Sequence, residues 1–79
     1  GSGSFESDVK KMANYRCEMQ KLMAQGADNP DVQKKLTDLQ KEMGEYADKM
    51  EKKYADKKGD KAMDEQADKI MDDVMAKCK

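Results

Sequence analysis

An all-α fold, an antiparallel three-helix bundle running up, down and up, is what this sequence predicts, on three observations. Apolar residues recur three and four positions apart, two turn signals divide the chain into three such stretches, and its two cysteines come level only if both turns are made. The competing architecture is a two-helix hairpin whose long second helix runs straight through Gly59.

The middle stretch is the most regular. Val32, Leu36, Leu39, Met43, Tyr46 and Met50 are spaced four, three, four, three and four, with Tyr54 drifting one position past the next step. That is an a/d seam, supported by Glu45 with Lys49 and Asp48 with Lys52 in the favourable acid-first order. Gly44 costs such a helix about 1 kcal/mol against alanine, and its presence implies a neighbour at close approach. The first stretch puts Phe5, Val9, Met12, Met19 and Met23 on one stripe, widened by Tyr15 and Leu22, with the stem of Arg16 lying along it. The third stretch has Met63, Ala67, Ile70, Met71, Val74 and Cys78 on one face and Asp64, Asp68, Asp72 and Asp73 outside it.

Both breaks have a mechanism. In "QGADNPD", Gly26 suits a left-handed helix stop, Asn29 an N-cap, and Pro30 the first helical position, where no N–H partner is needed. In "DKKGDK", lysines meet the end of one helix, Gly59 stops it, and Asp60 caps the next. Helices are therefore expected near residues 5–25, 30–58 and 60–78, forming one domain over 5–79. The "GSGS" at 1–4 reads as a cloning scar.

The cysteines fit the three-helix reading. Cys17 falls level with Asp38, and Cys78, nineteen residues past Gly59, falls level with Gln40. The two agree within about 3 Å along the bundle axis, whereas a helix continuing through Gly59 would separate them by tens of ångströms, on the order of its own length. A Cys17–Cys78 disulfide at the seam of the first and third helices is expected. Closing a loop of about sixty residues stabilises by roughly 4 kcal/mol, against a usual total of about 5–15 kcal/mol for a domain. Disulfides persist in oxidising compartments, so the expected location is extracytoplasmic: periplasm, cell surface or secretion. The other use of the pair is as two reduced, buried small hydrophobes.

Composition narrows the function. Charged residues make up 42% and hydrophobic ones 37% of 79 residues, with a net charge of −1. Such balance lacks the basic footprint of a nucleic-acid binder, and no apolar run is long enough for a transmembrane segment. Low hydrophobicity with many lysines and glutamates is also how disordered chains read, but the strong periodicity argues for folding. With no histidine there is neither the usual general base nor a Cys-His nucleophile pair, and there is no C-x-x-C. The carboxylates, interspersed with lysines at helical spacing, read as solvated faces. An EF-hand loop starting at Asp56 would put Lys58, Lys61 and Ala67 at its third, sixth and twelfth positions, where calcium needs an oxygen ligand, a glycine and a glutamate. No catalytic residue, metal site or cofactor is expected, and the chain is not expected to be an enzyme.

What remains is a non-catalytic, exported helical module with a structural or protein-interaction role, its partner an unknown protein or a second copy. By the level count, the third helix stops near Gln40 and leaves two helices alone beyond it. There Met19, Leu22, Met23, Val32 and Leu36 form a candidate partner-binding stripe, of which Leu22, Met23, Val32 and Leu36 are expected to be more exposed than Leu39, Met43 or Ile70. The plainer alternative is that these side chains close on each other as a two-helix seam. A second functional reading is a small-ligand carrier or a Cu(I) binder, since eight methionines is an unusual number and thioethers are soft ligands. Against it, Met12, Met19, Met23, Met43 and Met50 lie on expected core seams, with Met75 off its helix's main face.

Overall fold

The two breaks fold with the capping chemistry their residues imply. In a computed structural model describing residues 4–57 and 59–78, the helices are α1 (Ser4–Gly26), α2 (Pro30–Lys53) and α3 (Lys61–Ala76). Residues 1–3 of the GSGS stretch, Lys58 and Lys79 lie outside the described residues.

At the first turn Gly26 takes a φ of +123°, a region that penalises any side chain with a Cβ. The Asn29 N–H donates to the Gly26 carbonyl at 3.2 Å, and its Oδ1 accepts from the Asp31 N–H at 2.9 Å. The Gln33 side-chain amide donates to the Ala27 carbonyl at 2.9 Å, closing the turn, while the Asn29 cap meets one of the orphan N–H donors of α2. The second turn is longer than expected. α2 ends at Lys53 rather than at 58, Tyr54 leaves helical geometry as its C-cap, and one 3₁₀ turn, Ala55–Lys57, follows. Tyr54 is pulled into tertiary contact there, its ring edge-on to Phe5 at 5.2 Å between centroids. Gly59, at φ +83°, then turns the chain. Asp60 accepts from the Ala62 and Met63 N–H groups at 3.0 and 3.2 Å, which opens α3. The helix does not continue through Gly59, so the hairpin is excluded.

α1 is the middle of the bundle. It packs closely against both α2 and α3, while no comparable packing joins α2 to α3. Its deepest line is Val9, Ala13 and Cys17, one turn apart, with Ala13 fully covered. One flank of α1 meets α2: Tyr15 lies 6.2 Å from Tyr46 between ring centroids. The other flank meets α3 and is fastened by the Cys17–Cys78 disulfide, whose Cα atoms are 5.7 Å apart across a sequence separation of 61. The small Ala13 side chain is what lets that flank come so near.

Burial elsewhere is shallow. The α2 seam from Leu36 to Tyr54 is half-buried throughout, Val32 is the buried residue of that helix, and α3 buries none completely. Gly44 differs from expectation: a Cβ built on it meets nothing within 4 Å, so no neighbour requires its small size.

Two expectations follow. Reducing the disulfide, or replacing both cysteines by serine, lowers unfolding free energy by about 3–4 kcal/mol, read from urea denaturation with and without a thiol reductant. Gly44→Ala raises it by about 0.5–1 kcal/mol in the same assay, because a solvent-facing helix position loses glycine's backbone entropy at no steric cost.

Candidate functional site

Because α2 and α3 flank α1 without closing on each other, a third stripe of α1 is left between them. Phe5, Val9, Met12, Arg16, Met19 and Met23 recur along it at helical spacing. Two depressions open on this stripe. Near the α2–α3 turn, a groove of about 390 Å³ has Phe5, Val9 and Met12 of α1 in its lining. Its walls are Met50 and Tyr54 from the α2 side and Met63, Ala67 and Met71 from α3. Toward the disulfide end, a second depression of about 310 Å³ is lined by Met19, Met23, Met43 and Met75 together with Arg16 and Gln20. The two lie in series, since Met71 and Met75 are one turn apart on α3, as are Met43 and Ala47 on α2. All eight methionines of the chain line this one valley.

The five residues expected to form a partner-binding stripe are dispersed. Met19 and Met23 face the valley, and Met23 is 55% exposed. Leu22 lies on the opposite side, in a separate groove with Leu39. Val32, at 5% exposure, is core, which corrects the expectation that it is among the more open side chains. Leu22 and Leu36 are half-buried, as are Leu39, Met43 and Ile70, so of the expected contrast only the greater exposure of Met23 is seen. The physical reason is that α1 and α2 close on each other past the end of α3, which stops at Ala76 with Cys78 fastened beside Cys17.

A polar cluster that the sequence reading did not single out ties α1 to α2. The Asp8 carboxylate accepts hydrogen bonds from the Tyr46 hydroxyl at 2.5 Å, the Tyr54 hydroxyl at 2.6 Å and the Lys53 ammonium at 3.0 Å. Lys53 also lies over the Tyr54 ring and Lys11 over the Tyr46 ring, at 5.4 and 4.6 Å from the centroids. The available signal was spacing: Asp8, Tyr15 and Leu22 are seven apart and share the α2-facing flank. The bond from Tyr46, then that from Tyr54, holds the Asp8 carboxyl down from 3.8 to about 2, with Lys53 adding to both. The same carboxylate pushes Tyr46 up to about 12 and raises Lys53. This is a strut, holding the α2 wall of the valley in place.

Among the described residues no helix is long and apolar enough to cross a membrane. No protein-family model, no curated protein and no solved structure matches this chain.

The strut predicts a pH dependence with a definite sign. Asp8 is lowered on folding, so its contribution is complete above its ordinary 3.8 and is lost as pH falls toward 2. Tyr46 is raised, so its contribution is complete below 10.0 and is lost as pH rises toward 12. Asp8→Asn lowers stability at neutral pH by about 1–2 kcal/mol, allowing for solvent screening. It also removes part of the acid-side decline, seen as a shallower fall of thermal midpoint between pH 4 and pH 2 than in the parent.

Proposed function

We propose that the chain is a non-catalytic interaction module of an oxidising, extracytoplasmic compartment, and that its working surface is the methionine valley. The occupant is an amphipathic helix of a partner protein, laid along α1 between α2 and α3. One observation carries this reading: every methionine of a short, highly charged chain lines the same open face. Unbranched thioether side chains adapt to a partner's shape, and a groove between helices is where an apolar helix face docks.

Dimensions and charge support the choice of occupant. From Phe5 to Met23 the floor rises about 27 Å, the length of an eighteen-residue helix. On the α3 side Asp64 lines the groove, and Asp68 and Asp72 follow it one and two turns on, an acidic edge complementary to a helix with lysines or arginines along one flank. Extracytoplasmic location rests on the disulfide, whose persistence an oxidising compartment favours.

The test uses a synthetic eighteen-residue peptide with leucine at a and d positions and lysine elsewhere, and a twin with glutamate in place of lysine. Carbon-13 methyl spectra of the methionines are recorded during titration. The lysine peptide is expected to shift the Met12, Met50, Met63 and Met71 methyls at lower concentration than its twin. Ala67→Arg, which puts a cation into the α3 wall, weakens that response at least fivefold. No methyl response to either peptide would overturn the reading. So would a concentration-dependent dimer, seen by sedimentation, that protects the same methyls, because the occupant would then be a second copy.

A further inference from the structure

We propose that Met19, Met23, Met43 and Met75 form a binding site for a soft monovalent cation, Cu(I), at the disulfide end of the valley. Three helices contribute to it: Met19 and Met23 one turn apart on α1, Met43 from α2, and Met75 from α3. Thioether sulfur is a soft, uncharged donor that suits Cu(I) and that hard cations leave in favour of oxygen. Four such side chains line this one depression, and a closed-shell soft ion takes thioether donors without demanding strict geometry.

Packing alone accounts poorly for the choice of residue here. At the same level, the side of the α1–α2 pair away from the valley uses Leu22 and Leu39. The valley side has no leucine, isoleucine or valine in its lining, only methionine with Arg16 and Gln20. Met75, expected to lie off the main face of α3, instead continues its line of Met63, Ala67 and Met71 into this depression. Met23 is 55% exposed, where a hydrophobic side chain gains little from burial but a ligand stays accessible to an arriving ion. The opening of about 310 Å³ exceeds one ion, and three rotatable bonds in each methionine allow the sulfurs to close in. Arg16 on the rim opposes a cation. Its side chain is exposed and long enough to swing its charge into solvent.

The site does not depend on helix docking, since it uses one end of the valley and needs no partner. The experiment titrates the disulfide-bonded protein with copper held as Cu(I) by ascorbate in the absence of oxygen, with a chromophoric Cu(I) chelator as competitor and Ag(I) as a redox-inert check. Intact mass before and after confirms that the disulfide stays closed, so that no thiol takes the metal. Binding of one ion per chain is expected, with methyl shifts confined to Met19, Met23, Met43 and Met75. Met75→Leu, close to volume-conserving, lowers Cu(I) affinity at least tenfold with unchanged helical content, whereas Met63→Leu leaves it unaltered. The inference is overturned by failure to compete at one equivalent, by equal response of all eight methionine methyls, or by a Met75→Leu variant that binds like the parent.

Discussion

The Cys17–Cys78 bond is the constraint on which the position of α3 depends. That helix has sixteen residues and completely buries no side chain, so its hold on α1 through apolar burial is thin. A cross-link between residues 61 apart instead removes much of the freedom that α3 would have in the unfolded chain. It also sets where α3 ends. Fixing Cys78 beside Cys17 holds Met75, one turn earlier, where its side chain reaches the depression that Met19 and Met23 also line. The fully covered Ala13, one turn from Cys17, is part of the same arrangement, because a larger side chain there would push the two helices apart.

The opposite flank of α1 is held by different chemistry. Asp8 gathers two phenol hydroxyls and an ammonium from α2, in a cluster where the carboxylate is 15% exposed and every donor is neutral or positive. Charge-assisted bonds of this kind are stronger than neutral ones, and three of them on one carboxylate meet most of its acceptor capacity. α1 thus has a covalent bond on one side and a polar strut on the other, and α2 and α3 need not pack on each other for the bundle to hold. The valley is the consequence. In a tightly closed three-helix bundle the same residues would be an ordinary core.

Methionine suits that half-closed position. It has nearly the helix propensity of leucine, so a helix with many methionines forms without penalty. Its flexibility lets it lie flat over a neighbour when the valley is empty and reshape when something enters. A leucine-lined valley of the same width would be a stiffer surface. The charged residues that dominate the outer faces keep the rest of the molecule solvated, and Met23, an exposed large apolar side chain, lies on this face.

The sequence by itself determined the helices, the two turns and the pairing of the cysteines. These rest on local chemistry: apolar spacing at the helical period, Gly26 and Gly59 at positive φ, Asn29 and Asp60 as caps, and a level count that needs only the helical rise. It placed each methionine on an apolar face but could not say which neighbour that face meets, because period reports the angle around one helix and nothing about the next. Tertiary structure decided that α1 lies between the other two, that Val32 is core while Leu22 and Met23 part to opposite sides, and that Tyr54 ends α2 early to reach Asp8 and Phe5. Each of those outcomes is a competition between helices for the same faces of α1, settled by the disulfide on one flank and the Asp8 strut on the other.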